Sequence, residues 1–407
     1  MPTYAYTARA QNGTKKQGTL TADSRQAATQ MLQQKGLIAD KLSEKSAGFS
    51  FGGTAGPKLN KRVKTSELLV FTRQLSTIVS AGLPLLQGLD ILADQTDDPN
   101  FGAVVDAIAQ EVESGETFSD ALRKFPKAFP DLYVSMVRSG EASGDLDGVL
   151  LQLADYLEAS EELKRRIKSA MTYPVVAFGM IILIAGGLIV FVVPQFAEIF
   201  GSFGRELPLP TQILIHISNF LRSWFAIPAM AAAGALIFFG VRAYGATESG
   251  RYNLDKMRLR MPIFGSLLRK VAISRFTRTL STLTRSGVAI LQALEITERT
   301  AGNEVFAKAV REAADSVRNG DTLADPLMRS EVFPAMVTRM IGVGEKTGAL
   351  EIMLAKIADF YDAEVKAMVD SLTSLIEPIL IGMMGVVVGG IVIALFMPIL
   401  QLSSLVS

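Results

Sequence analysis

The sequence predicts an all-α membrane protein: two homologous cytoplasmic six-helix bundles and three transmembrane helices, preceded by a small N-terminal ββα segment. Three observations predict it. Long uncharged runs alternate with charged helical stretches, a block of the first half recurs in the second, and a proline opens an apolar run at the same place in each copy. Of 407 residues, 49% are hydrophobic and 20% charged, and the mean hydropathy is +0.30. A soluble chain needs less apolar character, and an all-membrane permease carries less charge, so the two kinds of sequence must be segregated.

At the N-terminus, Tyr4-Ala5-Tyr6-Thr7 alternates, Asn12-Gly13 signals a hairpin turn, and Gly18-Thr19-Leu20-Thr21 resumes the extended pattern. Asp23 or Ser24 caps a predicted helix that stops at Gly36, completing a ββα segment over 1–42. Residues 43–61 are rich in Gly, Ser, Pro and Lys without periodicity and read as a linker. Met1-Pro2-Thr3-Tyr4 has neither the basic region nor the apolar core of a signal peptide, so this segment is expected in the cytoplasm.

Helical periodicity begins at Thr65. Leu68, Phe71, Leu75 and Ile78 share one face, Gly82 stops the helix, and Pro84 opens the next, which ends near Gln95. Further helices fit 100–114, 117–124 and 130–138, and a long one runs from Asp145 towards Lys168, so the first bundle occupies 62–170. Tyr173–Val193 is uncharged and long enough for the roughly 20 residues that a bilayer core requires. Ser223–Val241 and the run from Pro378 onward are also uncharged, giving spans at 223–242 and 376–401 beside the first at 171–193. The second bundle fills 243–375 and a short tail, 402–407, follows the last span.

Lys164, Arg165, Arg166 and Lys168 precede the first span, and Arg242, Arg251, Lys256, Arg258 and Arg260 follow the second. Charges between them, Glu198, Arg205, Glu206 and Arg222, cancel. The positive-inside rule then puts 1–170 and 243–375 in the cytoplasm, with the 194–222 loop and the tail outside.

The recurring block is FTRQLSTIVSAGLPLLQGLDI from Phe71 and FTRTLSTLTRSGVAILQALEI from Phe276. The offset is 205 residues, and about half of the aligned positions are identical. After one deletion the offset is 204: Phe129-Pro130 meets Phe333-Pro334, Gly140-Glu141 meets Gly344-Glu345, Ala154-Asp155 meets Ala358-Asp359, and Tyr173-Pro174 meets Glu377-Pro378. Each copy is therefore a six-helix bundle whose last helix enters the membrane at a proline. Two copies on one side need an even number of crossings between them, which the first two spans supply.

No catalytic constellation emerges. The chain has no cysteine, which excludes disulfides, thiolate nucleophiles and cysteine-held metals, and one histidine, His216, which argues against a histidine-rich metal site. Net charge +1 gives no field for nucleic acid. Gly342-Val343-Gly344-Glu345-Lys346-Thr347-Gly348 resembles a phosphate loop but has the wrong glycine spacing and Glu345 before the lysine, and the first repeat has no lysine there. A turn between helices explains both copies. His216, in the apolar helical stretch Ile213–Leu221, reads as a packing or interface residue, and Glu158, Glu161 and Glu162 as members of a solvated charged face.

The positions with coupling potential are those shared between the repeats. Arg73 and Arg278 lie in identical Phe-Thr-Arg triplets and suit either an ion pair to a repeated acid or a partner contact. Gly140-Glu141 and Gly344-Glu345 sit at the turn before the long helices, and Tyr173-Pro174 and Glu377-Pro378 at the mouths of the spans. Glu377 suits a helix start near the interface. A proton or ion relay would need polar partners deeper in the spans, which hold none. Lys164–Lys168 suits a topology signal or a lipid contact, and Gly385-x-x-x-Gly389 a close helix contact.

FTRQLST…AGLPLLQ, the Gly140-Glu141-x-x-Gly144 turn, and Arg166-Ile167-Lys168-Ser169-Ala170-Met171-Thr172-Tyr173-Pro174 leading into a span that ends at Pro194 together resemble the inner-membrane platform family of type IV pilus and type II secretion systems. The likeness covers nearly the whole chain. Pro194-Gln195-Phe196 and Leu207-Pro208-Leu209-Pro210-Thr211-Gln212 are similar to the pilus branch more than to the secretion branch. The resemblance implies a non-enzymatic platform without cofactors in the bacterial inner membrane, working in contact with lipid. Its implied partners are a hexameric secretion-type ATPase, pilin subunits, other inner-membrane assembly proteins and further copies of itself, and not nucleic acid. A small-solute transporter or channel is the rival class, disfavoured by three spans without intramembrane charge. A membrane-tethered enzyme lacks a nucleophile, base and orienter.

Overall fold

The computed structural model describes residues 3–10, 15–21, 29, 37–44, 62–201, 208–262 and 264–403. The chain divides into two units, Met1–Pro57 and Lys58–Ser407.

In the first unit, β1 (Thr3–Ala10), β2 (Lys15–Thr21) and β3 (Leu37–Glu44) form an antiparallel sheet in the order β2-β1-β3. Tyr6 lies opposite Gly18 on one side and Leu42 on the other, with a register shift between Thr7 and Ala8. The third strand was not anticipated: Leu37–Glu44 lacks a clean alternation and runs into the start of the expected linker. The Asn12-Gly13 turn, the predicted 24–35 helix apart from Thr29, and the rest of the linker lie outside the described residues.

The second unit is helical. The first repeat comprises α1 (Thr65–Ser80), α2 (Leu85–Gln95), α3 (Pro99–Glu113), α4 (Phe118–Arg123), α5 (Asp131–Ser143) and α6 (Leu146–Gly187). Gly82 takes φ +82°, a left-handed value that only glycine adopts without strain, and turns α1 into α2. Asp98 caps α3 by accepting from the Asn100 N–H, and Pro99 occupies the first turn, where its missing N–H is not needed. Gly144, at φ +76°, closes α5.

A π-helical turn, Leu188–Val192, joins α6 to α7 (Val193–Gly201), and α8 (Leu209–Arg222) and α9 (Ala226–Tyr244) follow. Helix α10 (Glu248–Arg260) leads to the second repeat: α11 (Phe264–Arg285), α12 (Ile290–Thr300), α13 (Glu304–Arg318), α14 (Ala324–Arg329), α15 (Ala335–Thr347) and α16 (Leu350–Ser403). Asn303 caps α13 at the place where Asp98 caps α3, accepting from the N–H groups of Val305 and Phe306. Gly348, at φ +70°, repeats the stop made by Gly144.

The cores repeat as the helices do. Phe71 packs on Phe101 and Phe129 with ring centroids 5.4 and 5.9 Å apart. In the second copy Phe333 packs on Phe276 and Phe306 at 4.9 and 5.2 Å. All six rings are buried, and one apolar cluster runs through both bundles.

Among the described residues, two helices are long and apolar enough to cross a membrane: α6 continuing through the π turn to Ile199, and α16 as far as Pro398. Pro174 and Pro378 fall inside these helices rather than at a break, so bundle and span share one rod. The π turn ends two residues before Pro194, whose missing N–H removes a bond from the helical ladder. Helix α9 reaches such a length only together with α10, from which it is bent by 111°. In the segment expected as a loop after the first span, α7 is helical, and α8 contains the expected helical stretch Ile213–Leu221 and extends it to Leu209. Pro208 precedes α8 and Pro210 sits in its first turn, where a missing N–H is tolerated. Phe196, Leu214 and Ile215 pack on Ala185, Val193, Ile391 and Leu395, and Thr211 Oγ1 donates to the Ala394 carbonyl at 2.5 Å. His216, read as a packing or interface residue, is exposed in the single chain.

Candidate functional site

The repeated motifs converge on the joints between each bundle and its long helix. Gly140 is buried where α5 crosses α6: a Cβ there would lie 3.0 Å from Val149 Cβ and 3.2 Å from the Asp145 carbonyl. At Gly344 it would lie 2.9 Å from Leu350 Cα. Both glycines serve close approach, while Gly144 and Gly348 make the turns.

The neighbouring acids act as distant caps. Glu141 Oε1 and Oε2 accept from the N–H groups of Phe118 and Ser119 at 2.6 and 2.9 Å. Glu345 accepts from Leu323 and Ala324 at 2.6 and 3.4 Å. Each carboxylate thus neutralises the N-terminus of a short helix, α4 or α14, that has too few turns to stand alone. Lys346 is exposed on the last turn of α15.

Arg73 and Arg278 bind the first helix of each repeat to the last. Arg73 pairs with Asp155 at 2.9 Å and also with Glu158, and Arg278 pairs with Asp359 at 3.0 Å and Asp362 at 2.5 Å. The acids are three residues apart on α6 and α16, hence on one helical face. Burial works against each guanidinium's charge, but hydrogen bonds and Coulomb attraction from the two acids outweigh it and raise both pKa values. The Asp359 half of the pattern repeats an acid visible in the alignment. Glu158, expected on a solvated face, and Asp362 complete the clamps. Their i, i+3 spacing from Asp155 and Asp359 is the signal that locates them.

Below the clamps the long helices form a stalk. Leu163, Ile167 and Ala170 of α6 pack on Leu267 and Val271 of α11 and on Val365, Val369 and Leu372 of α16. Lys270 adds an ion pair to Glu364 at 2.5 Å. A cavity of about 440 Å³ opens beside this stalk, lined by Tyr156, Lys164, Lys168, Arg275 and Arg278 among others. Arg278 Nε is buried there with no partner among the described residues. At the mouths of the spans Tyr173 is exposed, Pro174 half-buried, and Glu377 and Pro378 exposed. These four residues are not brought together with the clamps.

No group of three or more His, Cys, Asp or Glu able to hold a metal exists among the described residues. What the site offers is mechanical connection: repeated clamps that fix two bundles to two membrane rods.

Fold and site define a two-repeat membrane scaffold. Its sequence matches the family described as Type II secretion system (T2SS), protein F, over residues 71–194 and 276–398, and that protein's N-terminal domain over 1–43. Similar proteins include the "Type IV pilus assembly protein PilC" of Myxococcus xanthus, 43% identical over 98% of this chain and 95% of its own. PilC of Thermus thermophilus is also 43% identical, over 99% and 98%. The "Type II secretion system protein F" of Pseudomonas aeruginosa is 34% identical over the full length of both. The chain belongs to this family of type IV pilus and type II secretion membrane proteins.

Proposed function

We propose that this chain is the inner-membrane platform of a type IV pilus machine, engaged from the cytoplasm by a hexameric ATPase and moving pilin subunits from the bilayer into a growing filament. The observation that carries this reading is the higher identity to pilus assembly proteins, 43% over nearly the whole chain, against 34% to the secretion protein. The unbroken helices from bundle to membrane support a coupling role, since a continuous helix moves as a unit. Deleting the gene should remove surface filaments and leave protein secretion intact, and the full-length chain should co-purify with the assembly ATPase. Lost secretion with normal filaments would place it in a secretion system instead.

The topology proposed is three spans, with α9 as the second, both bundles in the cytoplasm and α7–α8 outside. The cysteine-free sequence makes this directly testable. Asn219→Cys on α8 should react with an impermeant maleimide added to spheroplasts, and Asn319→Cys after α13 only once the membrane is broken. Labelling of Asn319→Cys in intact spheroplasts would overturn the arrangement.

A further inference from the structure

Within one chain the two repeats touch through different faces. Ser139 Oγ donates to the Ser286 carbonyl at 2.5 Å, and Ser286 Oγ donates to Gln152 Oε1 at 2.8 Å. Tyr156 OH lies 3.2 Å from Thr279 Oγ1, and Arg299 pairs with Asp131 at 2.8 Å. Every first-repeat partner lies on α5 or α6. In these polar contacts every second-repeat partner lies on α11, on α12 or in the turn between them, whose counterparts in the first repeat are α1 and α2. The contact is therefore heterologous, and a heterologous contact leaves one face of each kind unused. Among the described residues those faces are α1–α2 of the first repeat and, in the second, α15 with the bundle end of α16, whose stalk end already packs on α6.

The unused faces carry what such a contact needs. Val288 and Ile296 are 7% and 6% exposed, whereas their first-repeat counterparts Leu83 and Ile91 are 40% and 36% exposed. On the opposite face Leu132 is 4% exposed and its counterpart Met336 41%. Phe360, the counterpart of half-buried Tyr156, is likewise exposed. A Cβ on Gly287 would meet Ser139 Oγ at 3.4 Å, while one on Gly82 would meet nothing within 4 Å.

Charge complementarity is also preserved, with the sign reversed. Asp94 stands where Arg299 stands in the second repeat. Arg339 lies one helical turn beyond Ala335, the counterpart of Asp131. Both are exposed, and neither makes an ion pair among the described residues.

We propose that a second copy of this chain docks its α15–α16 face on the α1–α2 face of the first, reproducing between molecules the contact that joins the repeats within one. The arrangement rests on the topology proposed above. With both bundles on one side of the membrane and both long helices entering it, repeating the operator keeps successive copies in the same bilayer. An apolar centre of Leu83, Ile91, Met336 and Phe360 with a rim pair of Asp94 and Arg339 has the composition of a specific interface. Head-to-tail contacts of this kind close into a ring when the rotation allows.

Cross-linking in native membranes tests the proposal. Two differently tagged full-length copies are co-expressed, one with Ala81→Cys and one with Val343→Cys, the counterparts of Ser286 and Ser139. A single chain bearing Ser139→Cys and Ser286→Cys is the control and should form an intramolecular link. A short bismaleimide should give a dimer carrying both tags and few same-tag dimers. Asp94→Arg on the first copy should reduce the mixed dimer several-fold, and Arg339→Asp on the second should restore it. No mixed dimer with the control intact, or a predominance of same-tag dimers, would overturn the proposal. A failure of the topology would appear separately, in the labelling of Asn219→Cys and Asn319→Cys.

Discussion

Glu141 and Glu345 tie together segments more than 20 residues apart, each by accepting two backbone N–H groups at the start of a short helix. An amide donor left without a partner in a half-buried position costs about 1–3 kcal/mol. Glu141→Ala should therefore destabilise the first bundle by about that amount, and Glu141→Gln by less, because the amide oxygen keeps one acceptor. Thermal unfolding of the detergent-purified chain checks both variants, and an unchanged midpoint for Glu141→Ala would show that water replaces the cap. The Arg73 clamp is mostly exposed, so it contributes only the few tenths to 1 kcal/mol of a surface pair. The more enclosed Arg278 pair is worth more: there the arginine and Asp362 are about 30% exposed.

At the scale of elements, α6 is the critical part, because one helix packs the bundle, forms the stalk and enters the membrane. Glycine adds backbone freedom and costs about 1 kcal/mol at each interior helical position. Inserting Gly-Gly-Ser between Leu163 and Lys164 would also turn Ile167 and Ala170 away from the stalk. The insertion should leave membrane level and ATPase co-purification near normal while abolishing filament assembly. Normal filaments from a stably inserted variant would exclude α6 as the transmission element. Much of this architecture was legible in the sequence. Helix periodicity, glycine stops and the aromatic positions of the repeat are local signals, and the 205-residue offset doubled each of them. The targets of Glu141 and Glu345 were hidden because nothing local marks an acceptor for a helix start on another part of the chain. Strand β3 lacked alternation, and only the first turn of α8, at Leu209–Gln212, went unread. The bend between α9 and α10 follows from Gly245 and the Thr247 cap, features that read equally well as a plain loop.

Across the whole molecule, the repeats share one apolar cluster that runs from Leu68 to Tyr361 through both bundles. A core continuous across a boundary couples the stability of the two sides, whereas separate cores unfold independently. Phe71 and Phe276 occupy the same place in the two copies and are 2% and 0% exposed; Phe71 packs on Phe101 and Phe129, and Phe276 on Phe333. Truncating either to alanine removes a large buried ring, at about 3–5 kcal/mol. Because the bundles also share Ser139–Ser286, Tyr156–Thr279 and Arg299–Asp131, loss of one should carry the other with it. Phe71→Ala and Phe276→Ala should therefore each lower one common unfolding transition. Limited proteolysis during heating reads this out: with either substitution, sites at Lys124 in the first bundle and Arg329 in the second should become cleavable at the same reduced temperature. Early cleavage confined to the mutated bundle would show that the repeats are independent domains. The rods would then be driven by two separate bodies rather than by one.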